Sequence, residues 1–210
     1  MARLYLHSIR RLSPSRLGGF LLLSLTVLSA AAHARAQRPA DFGMMYTQEK
    51  TKFVGANSSD YFTLRGASID YSQSLVRGLG VAVSATGLAG TNEEGYIDIQ
   101  HIEFMVGPRF TYNLGHISPT TWGRRGGIFA EGKIGYTFAT SGLYPVNGAI
   151  QNTAAGLTYE GGGGINLHIF QRFDLRLIEV DAVRTQLPNG TTNVQNTLRL
   201  ASGLNFHFGY

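Results

Sequence analysis

The sequence contains no cysteine, which excludes a disulfide scaffold, a thiol nucleophile and a cysteine-linked lipid anchor. Lysine is scarce as well. Only Lys50, Lys52 and Lys133 occur, whereas the exterior of a soluble domain usually carries more. After residue 36 there is also no apolar run of the ~20 residues that a membrane-spanning helix needs. The bulk of the chain therefore has neither a disulfide framework nor a helical membrane span.

The first 36 residues have the layout of a secretory signal peptide. Four arginines form its basic front: Arg3, Arg10, Arg11 and Arg16. Residues 17–32, LGGFLLLSLTVLSAAA, carry no charge. Ala34 and Ala36 then place small residues at the two positions that a signal peptidase reads, which predicts cleavage before Gln37.

Removal of this segment changes the charge of the chain. The full sequence has 18 basic and 13 acidic residues, but five of the arginines and none of the acids precede residue 37. Residues 37–210 are therefore neutral overall, which argues against a nucleic-acid partner. Their length fits one domain of ordinary size.

Polar and apolar residues alternate along the mature chain, interrupted by Gly, Asn, Pro and Ser. In one segment, for example, Phe104 and Val106 share an apolar face and Glu103 lies on the other. At Leu175 and Leu177 the alternation breaks, which indicates either a β-bulge or an error of frame there. The pattern predicts eight strands: 41–52, 61–74, 78–89, 97–113, 127–143, 155–170, 173–187 and 194–210.

Eight strands can close an antiparallel sheet into a barrel without free edges. A soluble barrel is apolar inside and a membrane barrel is apolar outside, and alternation alone does not separate the two. Four features favour the membrane barrel. Several segments exceed the ~9–11 residues of a spanning strand, lysine is scarce, and the polar face is rich in small residues such as Gly161 to Gly164. Aromatic residues also lie near strand ends, as in interfacial belts: Tyr46, Tyr61, Tyr71, Tyr112, Tyr144, Phe170 and Tyr210.

The last strand ends on alternating apolar and aromatic residues: Leu204, Phe206, Phe208 and Tyr210. With this ending, the signal peptide and the eight strands, the chain resembles the small OmpA/OmpX-like outer-membrane β-barrels of bacteria. The resemblance implies an all-β, antiparallel, up-and-down transmembrane barrel, residues 37–210, in the outer membrane of a Gram-negative-type cell. It also implies that the barrel-assembly machinery reads these four alternating residues of the last strand, of which Tyr210 departs mildly from the usual Phe. We expect a monomer surrounded by outer-membrane lipid.

The same resemblance implies a topology in which both termini face the periplasm. Four loops then face outward, near residues 53–60, 90–96, 144–154 and 187–193. Their Asn, Gly, Ser and Thr content suits hydrated surface loops. An extracellular partner would bind at these loops.

Charged residues on the inward face must pair, because an isolated ion out of bulk water is very costly. An eight-stranded barrel has an interior that side chains just fill, so a permanent wide pore is not expected. The charges therefore either fill and specify the lumen or form a gate that opens by exchange of partners. The expected network consists of Glu103, Arg109, Glu131, Lys133, Glu160, Glu179, Asp181 and Arg199. His168 and His207 share the same face.

The sequence favours a non-enzymatic outer-membrane protein with a structural envelope role or a surface-loop interaction role. The alternatives are a small-solute channel and a lipid-modifying enzyme. His116 and Ser118 are similar to the His-x-Ser pair of lipid A deacylases, with Glu131 as the acid. This pair lies in a predicted turn, and Pro119 follows the serine, which disfavours the enzyme.

No cofactor or metal is predicted. His101, His168 and His207 lie on different strands without close ligand spacing. Gly161 to Gly164 lacks the Lys-Ser/Thr that follows a phosphate-binding loop.

Overall fold

The computed structural model describes residues 39–52, 61–76, 78–92, 97–114, 126–146, 149–170, 172–188 and 193–208. Residues 1–38, with the predicted signal peptide and its cleavage site at Ala34, Ala36 and Gln37, lie outside these ranges, so that site stays a prediction. Within the described ranges, no helix has the length and apolar character needed to cross a membrane.

Eight antiparallel strands form a closed barrel in which each strand pairs with the next and β8 pairs with β1. This confirms the predicted up-and-down architecture. The strands are β1 (Ala40–Lys52), β2 (Tyr61–Val76), β3 (Leu79–Asn92), β4 (Ile97–Asn113), β5 (Gly126–Val146), β6 (Ala149–Phe170), β7 (Phe173–Thr185) and β8 (Gln195–Phe208).

The prediction of a third loop at residues 144–154 is wrong. β5 continues to Val146 and β6 begins at Ala149, and these two residues pair with each other. The polar composition of PVNGAIQNT resembles a loop, but Asn147-Gly148 is the dipeptide that favours a two-residue hairpin connection. The pairing therefore continues almost to the tip.

A β-bulge interrupts β7 where the alternation breaks in the sequence. Ile165 pairs with Ile178, but the next residue, Asn166, pairs with Arg176, which leaves Leu177 as the extra residue. Leu177 and Ile178 are both exposed. Of the two alternatives that the sequence left open here, the structure shows the β-bulge, and its consequence is that Arg176 points inward and is buried.

The barrel is apolar outside and polar inside. On β4, Ile102 is 52% exposed and Phe104 is 55% exposed, whereas Glu103, between them in the chain, is 1% exposed. Buried polar and charged residues outnumber buried apolar ones among the described residues. Only a lipid environment makes this surface favourable, because apolar side chains then face hydrocarbon. The barrel is therefore a transmembrane one.

The end of β8 lies on the lipid-facing surface. Leu204 and Phe208 are exposed. The ring of Phe206 packs edge-on against Phe173 at 5.0 Å and against Phe208 at 4.5 Å between centroids. Tyr210 lies outside the described residues, and the role of this ending in assembly stays a prediction.

Candidate functional site

The interior of the barrel holds nearly all of the buried charge of the described residues. We call the end at which β1–β2, β3–β4, β5–β6 and β7–β8 connect the loop end, and the end at which the chain enters β1 the terminal end. Alternation places every second residue of each strand inward, so charges from several strands meet in the lumen. Three arginines and one lysine organise them.

Arg199 on β8 binds three carboxylates. Its Nη2 is 2.6 Å from Glu49 Oε2 on β1, and its Nη1 is 2.7 Å from Glu160 Oε2 on β6. Its Nη2 also makes a short contact with Glu103 on β4. Because β4 and β8 lie on opposite sides of the eight-stranded ring, the contact with Glu103 crosses the lumen.

Arg109 and Lys133 form a second group on β4 and β5. Arg109 donates to Asp70 Oδ1 on β2 and to Glu131 Oε2, both at 2.6 Å. Lys133 Nζ lies 2.5 Å from Glu131 Oε1 and 2.7 Å from Glu160 Oε1. Glu160 therefore links this group to Arg199.

Arg176 on β7 forms the third group. Its Nη1 lies 2.6 Å from Glu179 Oε2, and its Nη2 lies 3.9 Å from Asp70 Oδ1. The buried ring of Phe129 on β5 stacks with two guanidinium groups, Arg176 at 4.4 Å and Arg109 at 4.8 Å. Desolvated cation–π contacts of this kind are favourable by about 2 kcal/mol.

The structure brings most of the predicted network into ion pairs: Glu103, Arg109, Glu131, Lys133, Glu160, Glu179 and Arg199. Asp181 is also buried, but no ion pair of the described residues includes it, and its Oδ1 has no hydrogen-bond partner among them. Four members were not predicted: Glu49, Asp70, Arg176 and Phe129. Period-two alternation along β1 and β2, counted from the strand ends, could have placed Glu49 and Asp70 on the inward face.

Acids exceed bases in this interior. The buried carboxylates of the described residues are Glu49, Asp70, Glu103, Glu131, Glu160, Glu179 and Asp181. The buried cations are Arg109, Lys133, Arg176 and Arg199. In an open, hydrated lumen with every acid ionised and histidine neutral, the interior would carry more negative than positive charge, and its field would favour cations over anions.

An apolar cluster occupies the loop end. Ala139 and Tyr144 on β5 pack with Leu187, which follows β7, and all three are buried. The Gln186 backbone N–H donates to the carbonyl oxygen of Leu157 at 2.8 Å, which attaches this segment to β6. The end of the β5–β6 hairpin is thereby held against the chain that follows β7.

The two inward histidines of the terminal end meet around one carboxylate. His168 Nδ1 lies 2.8 Å from Asp174 Oδ1, and His207 Nε2 lies 2.9 Å from Asp174 Oδ2. His207 Nδ1 lies 2.5 Å from Asp41 Oδ1. Because these histidines lie on β6 and β8, no ligand spacing in the sequence indicates that they meet. Strand β7 lies between those strands, and Asp174 on it joins them.

Among the described residues, the structure offers no geometric support for the lipid-modifying-enzyme hypothesis. His116 and Ser118 lie outside the described residues. Glu131, its predicted acid, is bound by Arg109 and Lys133.

Comparison with known proteins establishes the fold. No protein-family model matches the sequence, and no curated protein matches it significantly. Among solved structures, the chain is similar to Neisserial surface protein A, with a TM-score of 0.56 and 10% identity over 81% of this chain and 97% of that one. It is also similar to Ail, the attachment invasion locus protein of Yersinia pestis, with a TM-score of 0.51 and 16% identity over 82% and 99% of the two chains. The fold and the apolar exterior together define an outer-membrane β-barrel protein.

Proposed function

We propose that the chain is a closed barrel with a structural envelope role, or one that presents its loops to an extracellular partner, and that it is not an enzyme. The contact between Arg199 and Glu103 carries this proposal, because it joins opposite strands through the centre of the lumen. Glu49 and Glu160 bind the same guanidinium from two further strands. An interior tied together in this way leaves little room for a solute.

The length of the central hairpin supports a role at the loop end. β5 has 21 residues and β6 has 22, about twice the ~9–11 residues that cross the hydrocarbon. The excess extends the hairpin past the membrane at the loop end, where Tyr144 and Leu187 pack together. A firm projecting hairpin offers a preformed surface to a partner, which lowers the ordering cost of binding.

A gated channel is the second candidate. It is favoured because one buried carboxylate forms ion pairs with two different cations. Glu160 binds both Arg199 and Lys133, so one cation can keep the carboxylate paired while the other moves away. The excess of buried acids over bases implies that any open state selects cations.

Planar-bilayer conductance of the refolded residues 37–210 separates the two candidates. We expect a silent parent that still shows the heat-dependent gel shift of a folded membrane barrel. Arg199→Ala should introduce openings, because it removes the central contact, while Arg184→Ala, at an exposed position of β7, should stay silent. Discrete cation-selective openings in the parent, altered by Glu131→Ala, would reject the closed barrel and support the channel.

A further inference from the structure

The polar cluster at the terminal end has the composition of a metal site. Two imidazoles and one carboxylate converge from three adjacent strands: His168 on β6, Asp174 on β7 and His207 on β8. One ligand atom from each lies within 4.8 Å of the others. We propose that these three residues bind a transition-metal dication, with Zn²⁺ the best match.

The donor set favours zinc over the hard cations. Imidazole nitrogen suits Zn²⁺ and its transition-metal neighbours, whereas Mg²⁺ and Ca²⁺ prefer oxygen ligands alone. With Zn–N and Zn–O bonds of about 2.0–2.2 Å, tetrahedral ligands lie about 3.3 Å apart. The two nitrogen–oxygen separations, 2.8 Å and 2.9 Å, are hydrogen-bond distances about 0.4–0.5 Å shorter than that spacing, so the side chains need to move apart only slightly to admit the ion.

Asp41 prepares His207 for this role. The carboxylate of Asp41 on β1 lies 2.5 Å from His207 Nδ1, while Nε2 points toward Asp174. A carboxylate that accepts the Nδ1–H of a histidine fixes the tautomer whose Nε2 lone pair can bind a metal. Ser72 Oγ in turn donates to the other oxygen of Asp41 at 3.5 Å.

An ion can reach the cluster from solvent. The side chain of His168 is 46% exposed and that of Asp174 is 13% exposed, whereas the carboxylates of the central network are almost fully buried. Three protein ligands leave a coordination position for water, as in open zinc sites. A bound ion would also join β6, β7 and β8 beside the seam at which β8 meets β1.

The test is calorimetric titration of the full refolded chain in detergent with ZnCl₂, with the visible absorption of bound Co²⁺ as a second signal. We expect one ion per chain. His168→Ala should weaken binding at least tenfold, and because this side chain is half exposed the variant should keep the folded gel mobility. Asp41→Asn should weaken binding about 10- to 100-fold, the usual effect of losing an orienting carboxylate.

His101→Ala is the matched control, because it removes a histidine on β4 that is not part of the cluster. It should leave the affinity unchanged. The proposal is overturned by a folded parent that binds no Zn²⁺ or Co²⁺. It is equally overturned by binding that survives unchanged in the folded His168→Ala variant, since the ion would then lie elsewhere.

Discussion

Arg199→Ala is expected to lower the free energy of unfolding of the barrel by about 3–5 kcal/mol, the range for a buried ion pair that loses one partner. The guanidinium is buried and binds Glu49, Glu103 and Glu160. Without it, three carboxylates face one another in an interior that already carries more acids than bases. Urea titration of refolded protein in lipid vesicles, followed by gel mobility, measures the change.

Two further variants test whether the loss comes from the buried charges around Arg199. Arg184→Ala removes an exposed arginine of β7 and should change stability by less than about 0.5 kcal/mol. Arg199→Ala combined with Glu103→Gln should be more stable than Arg199→Ala alone, because one uncompensated carboxylate is gone. An Arg199→Ala variant as stable as the parent would show that the central cluster does not hold the barrel closed.

Gly66→Ala is expected to cost about 3 kcal/mol, at the upper end of the usual overpacking penalty. A Cβ at Gly66 on β2 would overlap the carbonyl oxygen of Gly87 on β3 and lie 3.0 Å from the Cα of Leu88. Both are backbone atoms of the paired strand, so the strands must separate locally for the methyl group to fit. The same vesicle unfolding assay measures the loss.

Gly87→Ala is the matched control for this close approach. A Cβ at Gly87 meets no atom within 4 Å, and the residue is exposed on the outer face. Its replacement should leave stability within about 0.5 kcal/mol of the parent. Equal losses from the two substitutions would contradict the strand spacing between β2 and β3 and point to a general intolerance of added side chains at these glycines.

The strands could be predicted from the sequence because a period of two is a local property. Phe104 and Glu103 take opposite faces whatever their neighbours are, and Leu177 marks its bulge by breaking the pattern. The long β5–β6 hairpin was not predicted, because polar residues extend a strand ladder outside the membrane as readily as they form a loop. Gln151, for example, pairs with Tyr144.

The partners inside the lumen could not be predicted, because pairing across a barrel depends on strand tilt and ring closure. Nothing near Arg199 in the sequence indicates that it binds Glu49 on β1 or Glu103 on β4. Arg176 points inward only because the bulge shifts its frame. His168 and His207 meet only because Asp174 lies on the strand between theirs.

The orientation of the two barrel faces is tested most directly by a nitroxide scan of residues 81–86 on β3. The chain has no cysteine, so each single-cysteine variant carries one label. In lipid vesicles, collision with dissolved oxygen should be frequent at Val81, Val83 and Ala85 and rare at the buried Ala82, Ser84 and Thr86. Alternation in the opposite phase, or none at all, would contradict a barrel that turns its apolar face to the membrane.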